Sequence, residues 1–130
     1  MLGFIGCGNM AQAMIKGILE KKLYAAEEII VSRRNQEALS KLKDQFGVHV
    51  TADNKKVAAE ADVLILAVKP FQFETVIPEI RDKIRKDALI ISIAAGQTMK
   101  NIERLFGKNI KLVRSMPNTP ALVMEGAAGI

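Results

Sequence analysis

The sequence has no tryptophan and only one tyrosine, one histidine and one cysteine in 130 residues. A single cysteine excludes an internal disulfide, and one histidine beside it cannot make a Cys/His metal cluster. No apolar run approaches the ~20 residues that span a bilayer. The first such run, Leu2-Gly3-Phe4-Ile5, has no basic segment before it and no small-residue cleavage site after it. No signal peptide is expected, and the expected location is the cytoplasm. Charge of one sign is not concentrated either. The net charge of +5 is spread over Lys21-Lys22, Arg33-Arg34, Lys55-Lys56 and residues 81–86, without the focused basic face that nucleic-acid binding requires. Such clusters read as solvated surface, and the sharper reading is a small anion held at one of them.

What is present is ordinary for a globular chain, 49% hydrophobic and 25% charged. A chain of this length is expected to form one domain, over residues 1–130, that buries roughly two thirds of its unfolded surface. Short apolar runs at 2–5, 29–31, 63–68, 88–93 and 110–113 alternate with stretches of helical period. Val63-Leu64-Ile65-Leu66-Ala67-Val68 is apolar at every position, as in a parallel strand covered on both faces. Met10, Ala13, Met14, Gly17 and Ile18 share one helical face, and so do Leu39, Leu42 and Phe46. Asn35 caps the second of these helices and Gly47 closes it. Thr98 caps a helix carrying Ile102, Leu105 and Phe106, which Gly107 ends. Pro78 interrupts the period of Phe73, Val76, Ile77, Ile80 and Ile84. The expectation there is a loose turn after Pro70 and a helix over residues 78–86, since proline suits a first helical turn. A strand over 48–50 and a helix over 54–61 complete a β-α series, which implies an α/β fold. Its sheet is doubly wound, mostly parallel and Rossmann-type, with right-handed crossovers.

The first strand runs directly into Gly6-Cys7-Gly8-Asn9-Met10-Ala11, a G-x-G-x-x-A fingerprint. Gly6 permits the tight turn, Gly8 clears a side chain from where a pyrophosphate approaches the backbone, and Ala11 lets the helix pack closely on the strand. The helix N-terminus offers free N–H groups and a positive dipole end to the phosphates. By itself the motif is weak; between a strand and a helix that open a β-α-β series it points to a dinucleotide. The second strand ends in Val31-Ser32-Arg33-Arg34, without the acid that bonds the ribose 2′-hydroxyl in NAD sites. Guanidinium groups attract a 2′-phosphate by charge-assisted bonds, so NADP(H) is favoured over NAD(H). The competing reading leaves one or both arginines solvated.

Three further segments fall at carboxyl ends of strands, where open α/β sheets bind ligands. They are Ala67-Val68-Lys69-Pro70, Ala94-Ala95-Gly96 and Ser115-Met116-Pro117-Asn118-Thr119-Pro120. The small residues Ala94, Ala95 and Gly96 would let a flat ring or ribose lie against the backbone. Lys69 is either a cation facing ligand or a side chain reaching for solvent. Pro117 and Pro120 stiffen the chain around Asn118 and Thr119, which then present polar groups or form a turn. Cys7 occupies a variable fingerprint position with no nearby base and is read as inert. His49 is read as surface, and Met10 and Met14 as helix core.

In this order, residues 3–10, 67–70, 94–96 and Arg114-Ser115-Met116-Pro117-Asn118-Thr119-Pro120-Ala121 closely resemble the N-terminal half of the pyrroline-5-carboxylate reductases. The last motif is the most specific. The resemblance, which covers essentially the whole chain, implies hydride transfer from NADPH to the cyclic imine 1-pyrroline-5-carboxylate, giving L-proline. It implies pyrophosphate on Gly6, Cys7, Gly8, Asn9 and Met10, and the adenine ribose with its phosphate at Ser32, Arg33 and Arg34. Asn54 matches an asparagine of the family that contacts the nucleotide. Ala67, Val68, Lys69 and Pro70, with Ala94, Ala95 and Gly96, would line the nicotinamide, and Lys69, Asn118 and Thr119 are candidates on the substrate side. No metal is implied. Family members carry a further helical domain that dimerises and supplies much of the imino-acid pocket and its proton donor. The apolar tail Gly126-Ala127-Ala128-Gly129-Ile130 reads as a chain cut short, with residues 122–130 a strand or linker towards that domain. Homo-oligomers are expected through that domain or through the tail. Two alternatives are a β-hydroxyacid dehydrogenase-type reductase, against which residues 116–121 argue, and a nucleotide-sensing module without catalysis.

Overall fold

The computed structural model describes residues 1–93 and 98–114. Its strands are β1 (Leu2–Ile5), β2 (Ile29–Ser32), β3 (His49–Thr51), β4 (Val63–Leu66), β5 (Leu89–Ser92) and β6 (Lys111–Arg114). Between them lie helices α1 (Asn9–Glu20), α2 (Gln36–Phe46), α3 (Asn54–Glu60), α4 (Phe73–Ile80) and α5 (Met99–Phe106). The strands form one parallel sheet in the order β3-β2-β1-β4-β5-β6. The order reverses between β1 and β4, the switch point at which such sheets bind ligands.

Alternation along the strands divides the core into two layers, because successive side chains point to opposite faces. Leu2, Phe4, Ile29, Val31 and Ile65 pack against Ala11, Met14, Ile15 and Ile18 of α1 and Leu42 of α2. Ile5, Ile30, Leu64, Leu66 and Ile90 pack against Val57 and Ala58 of α3, the apolar face of α4, and Ile102 and Phe106 of α5. Gly3 lies where α3 comes closest. A Cβ there would stand 2.7 Å from Val57 Cγ1 and 2.8 Å from Ala61 Cβ.

The expected helix boundaries hold where caps are local. Asn35 Oδ1 accepts from the Ala38 N–H and Thr98 Oγ1 from the Asn101 N–H, while Gly47 and Gly107 close α2 and α5 in the left-handed conformation. His49 is exposed, Met14 buried and Met10 half-buried. The helix expected over 78–86 is corrected. It occupies Phe73–Ile80, follows a short turn at Pro70–Gln72, and contains Pro78. Phe73, Val76, Ile77 and Ile80 are all buried, each such burial contributing roughly 1.5–3 kcal/mol. Against this stands an interior proline's cost of about 3 kcal/mol. Pro78 and Glu74, whose carbonyl loses its helical donor, are both exposed, so water takes the lost partner's place.

Candidate functional site

Every site residue with a described position gathers at the carboxyl edge of the sheet. β1 delivers Gly6 to Met10, β2 delivers Arg33, β3 leads to Asn54, and β4 to residues 67–70. Ala94, Ala95, Gly96, Asn118 and Thr119 lie outside the described residues, as do residues 122–130.

The two fingerprint glycines differ in their reasons. Gly6 has φ +84°, and a Cβ on it would stand 2.8 Å from Val68 Cγ1 and 3.1 Å from the Ala67 carbonyl. The protein itself therefore demands glycine there. Its N–H donates to the Ser32 carbonyl at 3.0 Å, fastening the loop to β2. Gly8 has φ −83°, open to any residue, and a Cβ on it would meet nothing within 4 Å. The space above Gly8 is free, as a phosphate held against the backbone would need. Helix α1 begins at Asn9 with no side-chain cap and no acid in its first turn. No side chain among the described residues caps its first N–H groups, and no acid of the first turn offsets its positive end. Both features fit a bound phosphate. Asn9 is exposed here, and Ala11 is buried against β1.

The Cys7 side chain is buried and belongs to the core below the loop. Burial pushes its thiol up to about 11, and the Arg33 cation offsets this only in part. It is a protonated packing group, as expected, and its contribution to the site is its carbonyl. That oxygen accepts from Arg33 Nη1 at 2.9 Å and from Gln12 Nε2 at 3.5 Å. Arg33 is half-buried and Arg34 exposed, and neither has a carboxylate partner among the described residues. Beside Arg33, between α1 and α2, opens a cleft of about 280 Å³ lined by Gln12, Asn35, Glu37 and Lys41 among others.

Ser32 departs from its expected place. It is fully buried, so it cannot itself meet a ribose or phosphate. Its hydroxyl donates to Asn54 Oδ1 at 2.6 Å, and Asn54 Nδ2 donates to Glu79 Oε1 at 2.9 Å. Ser32 and Glu79 thereby fix the orientation of the half-buried Asn54 amide. After β4, Val68 is the wall that keeps Gly6 a glycine, and Lys69 is exposed. The Lys69 N–H donates to Gln72 Oε1 at 3.1 Å while its carbonyl accepts from the Gln72 N–H, which fixes Pro70 in its turn. Ser92, on the same sheet row as Ser32, is buried, with no partner for its hydroxyl among the described residues. Sequence reasoning missed Gln12 and Glu79. Gln12 directly follows the fingerprint, a signal that could have been used; Glu79 lies 25 residues from Asn54 and has no local signal. Among the described residues no His/Cys/Asp/Glu group could hold a metal, and no helix is long and apolar enough to cross a membrane.

Residues 1–96 match the model of the family described as NADP oxidoreductase coenzyme F420-dependent. The chain is 39% identical over 129 residues to a pyrroline-5-carboxylate reductase of Escherichia coli (strain K12), covering 99% of this chain and 48% of that one. Among solved structures, a pyrroline-5-carboxylate reductase from Coxiella burnetii superposes with a TM-score of 0.86 at 41% identity, covering 94% of this chain and 45% of that one. The Plasmodium falciparum pyrroline carboxylate reductase with NADP bound superposes at 0.79 and 29% identity, covering 94% and 44%. The chain spans about half the length of the curated relatives it matches.

Proposed function

Since this chain belongs to the family of NADP oxidoreductases described as coenzyme F420-dependent, we propose that it is the cofactor-binding part of an NADPH-dependent pyrroline-5-carboxylate reductase. The observation that carries the proposal is the open backbone cradle at Gly8, beside two arginines with no carboxylate partner among the described residues. Identity of 39–41% to reductases of that name supports the choice of substrate. On this reading the pyrophosphate lies on Gly6 to Met10, and Asn54 contacts the nucleotide. NADP(H) is preferred over NAD(H), because β2 ends in Ser32-Arg33-Arg34 rather than an acid. Ala67, Val68, Lys69 and Pro70, with Ala94, Ala95 and Gly96, border the nicotinamide.

A nicotinamide held there would supply the hydride that reduces the imine carbon of 1-pyrroline-5-carboxylate, and a proton on the ring nitrogen completes L-proline. The protein's share is to hold two carbons close and aligned and to exclude water. Lys69, Asn118 and Thr119 are this chain's candidates on the substrate side. The remaining wall and the proton donor belong, in this proposal, to sequence found in the longer relatives. Self-association through that sequence or through residues 126–130, and a cytoplasmic location, complete the reading.

NADPH oxidation with 1-pyrroline-5-carboxylate as acceptor tests it. The gene's full product is expected to turn over and this chain alone to do so poorly. Without an enclosing wall, much of the roughly 7–11 kcal/mol available from orienting reactants is lost. Absence of turnover by the full product, with NADPH demonstrably bound, would contradict the reductase assignment.

A further inference from the structure

The Cys7–Gly8 peptide is a trans, planar unit. Its carbonyl and its N–H therefore point in opposite directions, and whatever fixes one fixes the other. The Cys7 carbonyl is held by two donors from outside the loop, Arg33 Nη1 at the end of β2 and Gln12 Nε2 on α1. The Gly8 N–H accordingly points away from both. It has no acceptor among the described residues, and the space beside Gly8 is open. Gly6 cannot fix this peptide, since its own bond to Ser32 fastens only the start of the loop.

We propose that Arg33, assisted by Gln12, is a positioning residue for the phosphate loop. By holding the Cys7 carbonyl it aims the Gly8 N–H at the pyrophosphate, and it serves either nicotinamide dinucleotide. The inference rests on the cofactor reading above and deepens it by separating the two arginines. Arg33 spends one of its five N–H donors on the loop, whereas Arg34 is exposed, has no partner among the described residues, and is left to recognise the 2′-phosphate. The pyrophosphate is common to NADPH and NADH, so a defect in aiming the Gly8 N–H must weaken both, while a lost 2′-phosphate contact must weaken NADPH alone.

The experiment titrates NADPH and NADH into this chain and its variants, with circular dichroism as the check of folding. Arg33→Ala is expected to weaken both dinucleotides by about tenfold or more, the scale of a lost charge-assisted bond. Arg34→Ala is expected to weaken NADPH and leave NADH unchanged. Arg33→Lys, which keeps a cationic donor, should recover part of the NADH affinity. If Arg33→Ala unfolds the chain, Gln12→Ala decides. It removes a donor but no charge, and an equal few-fold loss for both dinucleotides supports the inference while undiminished binding overturns it. An Arg33→Ala chain that loses NADPH affinity but binds NADH like wild type overturns the inference and leaves the cofactor reading intact. A wild-type chain that binds neither dinucleotide overturns both.

Discussion

Gly6 and Gly8 stand two positions apart and answer to different demands. Gly6 is required by its φ of +84° and by Val68 and Ala67, whereas nothing in the protein requires Gly8. Gly8→Val should therefore leave a folded chain that loses dinucleotide binding, apart from up to ~1 kcal/mol at a helix N-cap. Circular dichroism and a cofactor titration check this, and undiminished binding by the folded variant would remove the phosphate site from Gly8. Cys7 gives a prediction of another kind. Its thiol titrates at about 11 when folded, against an ordinary value of 9.0. Between those values the unfolded chain has released a proton that the folded chain retains, so stability falls as pH rises from about 9 towards 11. Urea denaturation at pH 8 and pH 10 should show a loss that Cys7→Ala reduces. An identical loss in both proteins would show that Cys7 is not the group responsible.

Elements were legible in the sequence wherever their signals are local. Asn35, Thr98, Gly47 and Gly107 mark helix ends within a turn of themselves, and β1 occupies the expected residues Leu2–Ile5. Helix α4 lies earlier than the proline rule places it, because burial of the face formed by Phe73, Val76, Ile77 and Ile80 outweighs the cost of Pro78 inside it. Contacts between elements carried no signal of this sort. Arg33 meets the Cys7 carbonyl across 26 residues and Asn54 meets Glu79 across 25. The place of Ser32 at the strand end is visible in sequence, while its burial is not. Gly3 is another tertiary residue, a glycine because α3 crosses β1 there. Gly3→Ala must push Val57 or Ala61 outward, and the expected cost is about 1–3 kcal/mol. It should appear as a lower urea midpoint at unchanged slope; an unchanged midpoint would show that α3 shifts freely.

At the scale of the whole molecule, the sheet order places the ends of β1, β2, β3 and β4 along one edge. Those ends carry the phosphate loop, the arginine pair, Asn54 and Lys69, residues scattered over 65 positions of sequence from Gly6 to Pro70. That gathering is the physical basis for reading the chain as a dinucleotide-binding domain, and it was legible as a β-α alternation with a fingerprint at its start. The proposed substrate is not legible in that alternation; it rests on the resemblance of particular motifs, and the similarity to pyrroline-5-carboxylate reductases supports it. Whether this edge binds NADPH is decided by titrating NADPH into the chain, followed by nicotinamide fluorescence, with NADH run in parallel. Saturable binding of NADPH is expected, tighter than that of NADH, with a preference that shrinks as salt rises because the arginines are exposed or half-exposed. No saturable binding of either dinucleotide, or a preference for NADH, would contradict it.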